Sequence, residues 1–173
     1  MVRDTILNEI IAEKKREVST AKENVSFLEL EREVKNCAPL RNFTDSLRSV
    51  ISRRELAVIA SPSKGLIRED FNPAKHARDY EANGATCLSV LTDTKYFQGA
   101  DAYLEQARIA CSIPVLRKDF IVDPYQIAQS KVLGADDAPG VMALLMFHKC
   151  LNLRLMRMRF QLMYWLKFTI EKN

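Results

Sequence analysis

The spacing of apolar and polar positions changes along the chain. Ile6, Leu7, Ile10, Ile11 and Val18 fall close to one face of a helix, while Glu9, Glu13, Lys14, Lys15 and Arg16 lie largely elsewhere. Thr5 or Asp4 offers a side-chain oxygen to the first orphan amides of that helix. A second helix is predicted from Phe27 to Val34. Pro39 breaks the chain, and a third, short helix is predicted from Phe43 to Val50. Beyond it the pattern changes to short apolar runs separated by helical stretches. Leu56-Ala57-Val58-Ile59-Ala60 suits a buried strand, followed by the loop Ser61-Pro62-Ser63-Lys64-Gly65. Pro73 to Asn83 reads as a helix, with proline in its first turn and Gly84 past its end. Cys87 to Leu91 is a second buried strand. A loop through Gly99 leads to a helix from Asp101 to Ala110. Pro114 to Arg117 is a third strand, and Asp123-Pro124-Tyr125 opens a helix that runs to Leu133 and stops at Gly134.

Strand, loop and helix repeated with short connections imply an α/β fold of parallel strands joined by right-handed crossovers. Strands apolar throughout fit a sheet covered on both faces. A (β/α) barrel and a doubly wound sheet both satisfy this pattern. The absence of a G-x-G-x-x-G or P-loop signature weakens the nucleotide-binding version.

Composition narrows the class. The 173 residues suffice for a domain with a sizeable core, and 47% hydrophobic with 28% charged residues is ordinary for a globular protein. A net charge of +4 is too mild to argue for nucleic acid or a membrane surface as partner. No apolar run approaches the roughly 20 residues of a membrane span. The N-terminus lacks an apolar signal core, so a cytoplasmic location is expected. Cys37, Cys87, Cys111 and Cys150 are widely spaced, and His76 and His148 are the only histidines. Reduced thiols and no metal site are therefore expected.

Polar residues gather after each strand, which in a parallel barrel is the catalytic face. Ser61, Ser63 and Lys64 follow the first, Thr92 and Asp93 the second, Lys118 and Asp119 the third. Lys118 leaves an apolar strand and precedes Phe120-Ile121-Val122, so its amine is expected to be partly desolvated. Desolvation lowers a lysine pKa and makes it a better proton donor near neutral pH. The plainer alternative is a surface lysine paired with Asp119.

The run from Pro114 to Gln126, PVLRKDFIVDPYQ, resembles the third-strand signature of indole-3-glycerol-phosphate synthases. Ser61-Pro62-Ser63-Lys64-Gly65, Leu88-Ser89-Val90-Leu91-Thr92-Asp93 and Tyr96-Phe97-Gln98-Gly99 are similar to other motifs of that family, in the same order. The run from Ile6 to Lys15 is similar to the helix that precedes its barrel. The resemblance covers roughly residues 1 to 136. It implies a TIM (β/α)8 barrel with extra N-terminal helices over residues 1–50, of which about the first three to four β/α units are present. It also implies a carbon–carbon lyase of tryptophan biosynthesis. That enzyme closes the indole ring of 1-(2-carboxyphenylamino)-1-deoxyribulose 5-phosphate, with loss of carbon dioxide and water and without a cofactor. By resemblance Lys118 is the general acid, Phe120 packs on the phosphorylated substrate, Ser61 and Pro62 contact it, and Ser89 and Leu91 line the pocket.

Two departures from the family predict an inactive, truncated copy. The family's first strand continues through a segment like Glu-Val-Lys-Lys-Ala before Ser-Pro, with a glutamate and a lysine used in the active site. Here Ala60 joins Ser61 directly. After Asp136 the composition shifts. Met142, Met146, Met156, Met158 and Met163 are five of the six methionines, and Glu171 is the only acidic residue after Asp137. Back-translation of Met146 to Ile170 in another frame permits a phrase similar to the family's fourth helix and fifth strand, including its catalytic glutamate. Residues 137–173 are thus expected to be a frameshift-derived tail, with 137–145 unexplained. At face value, residues from Met156 to Ile170 alternate with a strand-like period of two. The other expectation for such a half barrel is a non-catalytic interaction or assembly module, self-associating through exposed edges.

Overall fold

The computed structural model describes residues 6–61 and 71–138. Asp4 and Thr5, the loop residues Pro62 to Gly65, and residues 139–173 lie outside the described residues, as do the expectations that fall on them.

Three helices come first: α1 (Ile6–Asn24), α2 (Phe27–Asn36) and α3 (Phe43–Ser52). The buried residues of α1 are Ile10, Lys14 and Val18, a stripe at four-residue spacing. Lys14 was expected off that face, and its place on it is the first correction to the sequence reading. Ser26 and Glu29 form a capping box that starts α2, satisfying two otherwise orphan amides reciprocally. Then follow β1 (Ile59–Ala60), α4 (Pro73–Ala82), β2 (Cys87–Leu91), α5 (Asp101–Ala110), β3 (Val115–Lys118) and α6 (Pro124–Val132).

The three strands form one parallel sheet in the order β1-β2-β3. Ala60 pairs with Leu88, Leu88 with Val115, and Leu91 with Lys118. Beyond β3, Asp137 bridges Leu116 in parallel, and the Arg117 amide donates to the Asp137 carbonyl. Asp137 and Ala138 are buried with the sheet.

Strand alternation divides the sheet into two unequal faces. Ala60, Leu88, Val90 and Val115 pack against Ala77 of α4 and Leu104 and Ala107 of α5. On the other face Cys87, Leu116 and Ile59 meet Phe43 and Leu47 of α3, at the N-terminal end of the strands. Toward the C-terminal end that second face opens: Leu91 is half-buried and Lys118 exposed. The expectation of a sheet covered on both faces therefore holds for one face and one end of the other among the described residues.

The first strand is shorter than its apolar run. Leu56 is 85% exposed. Backbone pairing starts at Val58, whose carbonyl accepts from the Thr86 and Cys87 amides. The neighbouring chain leaves α4 through Gly84, at φ +83°, just before this point, and so offers nothing for Leu56 and Ala57 to pair with.

Candidate active site

The C-terminal ends of β1, β2 and β3 bring most of the expected residues together. The Ser61 hydroxyl, at the end of β1, donates to the Ser89 carbonyl of β2 at 2.9 Å. Ser89 is buried, Leu91 half-buried, and Leu91 stands opposite Lys118 in register. Ser89, Leu91 and Lys118 therefore share the open face by strand alternation and register, and the hydrogen bond to the Ser89 carbonyl brings Ser61 beside them. Phe120 follows β3, half-buried, with its ring 6.0 Å from that of Phe97 in the loop after β2. Pro62, expected beside Ser61, lies outside the described residues.

Lys118 differs from expectation in one respect. Its side chain is exposed, because the two-residue period of β3 sends it to the open face while Arg117 turns inward toward α5 and α6. The apolar residues that follow it, Ile121 above all, are buried in another cluster with Val18, Leu30 and Tyr125. Nor is Lys118 the partner of Asp119. That carboxylate accepts from Arg117 at 3.1 Å, from the Thr92 hydroxyl at 2.8 Å and from the Phe120 amide at 2.8 Å, and pairs with Lys14 at 3.0 Å.

Under the open face lies a buried ionic network. Lys14, 2% exposed, reaches from α1 to Asp93 at 2.9 Å, Asp119 at 3.0 Å and Glu17 at 2.8 Å. Arg117 is buried beside it and also donates to Thr92, Gln129, Ser130 and Asp101. Burial alone would raise the Asp119 pKa, but Arg117 and Lys14 more than offset it and hold the carboxyl below its usual range. Burial likewise opposes the charge on Lys14. Asp119, Glu17 and Asp93 nevertheless keep its ammonium above the ordinary lysine range. This network was missed in the sequence, where Lys14 reads as one charge among several on a helix. Its signal was its spacing, four residues from both Ile10 and Val18.

The loops are pinned locally. Asp93 accepts from the Tyr96 and Phe97 amides at 2.8 and 3.2 Å, closing the turn that carries the Phe97 ring. A Cβ on Gly99 would come within 2.6 Å of the Leu91 carbonyl oxygen, so the loop's return past β2 requires glycine. The buried amide of Gln126, in the capping box of α6, donates to the Phe120 carbonyl at 3.0 Å. Phe120 is thus held through both its N–H and its C=O.

A concavity of about 470 Å³ near the other end of β3 is lined by Arg41, Arg108 and Lys131. Its cations are already engaged: Arg41 with the Ile113 carbonyl, Arg108 with Gly134 and Asp136, Lys131 with Ala38. It is a fastening of loops. Among the described residues no group of three metal-ligating side chains exists, and no helix is long and apolar enough to cross a membrane.

The model of the indole-3-glycerol phosphate synthase family matches residues 7–159. The chain belongs to the indole-3-glycerol phosphate synthase family. The family match passes Asp136, where the resemblance in the sequence thinned. The chain is 52% identical over 136 residues to the indole-3-glycerol phosphate synthases of two strains of Acidithiobacillus ferrooxidans, a match covering 76% of this chain and 52% of each relative. The chain spans about half the length of the curated relatives it matches.

Proposed function

We propose that this chain carries the aromatic-binding and acid side of an indole-3-glycerol phosphate synthase site and does not complete the ring closure. The observation that carries the reading is the convergence of Ser61, Ser89, Leu91 and Lys118 on one open face at the strand ends, with the Phe97–Phe120 pair beside it. In this reading the substrate is 1-(2-carboxyphenylamino)-1-deoxyribulose 5-phosphate, and its carboxyphenyl ring lies against Phe120. Closure forms a carbon–carbon bond between the ring carbon that bears the carboxylate and the ketose carbonyl carbon. Carbon dioxide leaves that ring carbon, and the former carbonyl oxygen leaves as water. Lys118 is the group placed to give the departing hydroxyl its proton. Its positive charge also suits an anionic substrate.

The incompleteness lies at β1. Two paired residues run directly into Ser61, and the acidic and basic side chains that the family resemblance puts between Ala60 and Ser61 have no counterpart there. A lone acid without its partners leaves the remaining proton transfers and the carboxylate without stabilisation. We assign residues 137–173 to a shifted reading frame. The coding DNA tests this, because the alternate frame must then encode a family-like phrase through the stretch from Met146 to Ile170.

Binding tests the site separately from turnover. Titration of the full chain with anthranilate, read by its fluorescence, is expected to saturate and to weaken by about tenfold in Phe120→Ala, the scale of one lost aromatic contact. No saturable binding, or binding indifferent to Phe120→Ala, counts against the reading.

A second reading, an assembly fragment, is favoured by one observation. The outer edge of β1 has no strand beside it among the described residues. Sedimentation of the full chain separates the two: a monomer at all concentrations excludes assembly through that edge.

A further inference from the structure

Lysine is an unfavourable choice for the middle of the buried α1 stripe. An apolar residue between Ile10 and Val18 would bury without the desolvation cost of an ammonium. The contacts of Lys14 show what that cost obtains. Its Nζ touches one aspartate from each of two strand-end loops, Asp93 after β2 and Asp119 after β3. Each aspartate also accepts from backbone amides. Asp93 Oδ1 accepts from the Tyr96 and Phe97 amides, and the same Asp119 oxygen that pairs with Lys14 accepts from the Phe120 amide. Each aspartate is therefore a short link from the ammonium to the backbone of the aromatic residues in its loop, Tyr96 and Phe97 for Asp93 and Phe120 for Asp119. At the far ends of the two links the rings of Phe97 and Phe120 face each other, 6.0 Å apart and tilted by 32°. A second tie, Lys95 to Glu13 at 2.8 Å, fastens the Phe97 loop to the same helix.

We propose that Lys14 is a positioning residue that sets the separation of the Phe97 and Phe120 rings, and through them the aromatic slot of the site. The proposal rests on the reading above that this face takes an aromatic substrate. Lys14 touches neither ring. It acts as a bridge, its one ammonium paired with a carboxylate from each loop and so drawing the two loops together. Without it the loops separate, and the slot widens while the sheet behind it stays paired.

The test uses the full chain with ring-labelled phenylalanine. It reads the nuclear Overhauser contact between Phe97 and Phe120, together with anthranilate affinity. Lys14→Met is expected to lose the ring contact and to weaken anthranilate binding by about tenfold or more, since small displacements of a binding group have effects of this size. Lys14→Arg, which keeps the charge, is expected to restore both to within about threefold of the parent chain. Ile10→Ala, on the same stripe but apolar and so without an ion pair to either aspartate, serves as the structural control. It is expected to lower the melting midpoint and leave ring contact and affinity unchanged. Retention of the ring contact in folded Lys14→Met overturns the proposal, as does its equal loss in Ile10→Ala. If circular dichroism shows Lys14→Met unfolded, Asp93→Asn carries the test. It keeps the acceptor for Tyr96 and Phe97, removes the charge that faces Lys14, and must also loosen the ring contact. If the parent chain does not bind anthranilate, the proposed function fails, and the ring contact alone still decides the role of Lys14.

Discussion

The two flanks of the open face are built differently. On the β2–β3 flank every loop is tied down by buried charge. Lys14 and Arg117 meet Asp93 and Asp119, Gly99 lets the chain pass close to β2, and Gln126 holds Phe120 from behind. On the β1 flank, among the described residues, two paired residues end in an exposed serine with a hydrogen bond to Ser89. The lesson is that positioning and chemistry are separable in this fold. The β2–β3 flank is tied from several sides by buried charge, whereas the described part of the β1 flank is two paired residues and Ser61.

The contrast predicts a gradient of sensitivity. Asp119→Asn strikes the centre of the network and leaves Lys14 and Arg117 buried with less opposing charge. It is expected to cost about 3–5 kcal/mol by denaturant unfolding, the range for breaking a buried ion pair. The same residue gives the pH dependence its sign. Because its folded pKa is depressed, Asp119 contributes stability that is present above its unfolded pKa of about 3.9 and is lost as pH falls through its lower folded value. Unfolding midpoints measured from neutral pH into acid should therefore fall more steeply for the parent chain than for Asp119→Asn. Gly99→Ala, still on the ordered flank, forces backbone apart and is expected to cost about 1–3 kcal/mol in the same measurement, the range for overpacking. Ser61→Ala, on the sparse flank, removes one hydrogen bond at an exposed site and is expected to cost about 1 kcal/mol or less. A loss for Ser61→Ala as large as that for Asp119→Asn would erase the distinction between the flanks.

The same contrast governs how much was legible in the sequence. The strand from Cys87 to Leu91 and the helix from Asp101 to Ala110 match the expected bounds, because an uninterrupted apolar run and a periodic helix each leave a local trace. The run from Leu56 to Ala60 left the same trace but yields a two-residue strand, since apolarity marks what can be buried and pairing depends on a neighbour. Ser61 and Lys118 were legible as strand-end residues and Ser89 and Leu91 by resemblance, and the common face of Ser89, Leu91 and Lys118 follows from strand alternation and register. Phe120 was legible by resemblance alone, and its contact with Phe97 was not. The exposure of Lys118 was misread because the hydrophobicity of its sequence neighbours says nothing about which face a strand residue takes. Lys14 was hidden by its charge. Its burial depends on Asp93 and Asp119, which are distant in sequence and come to it through the fold.

The most direct measurement of the central claim is ring closure itself, followed by the fluorescence of indole-3-glycerol phosphate with the purified full chain and with Lys118→Ala. On the proposed reading, a chain in which Ala60 joins Ser61 directly is expected to form no product above the level of Lys118→Ala. Turnover by the parent chain that disappears in Lys118→Ala would contradict the account, and would mean that the strand ends described here are sufficient for the chemistry.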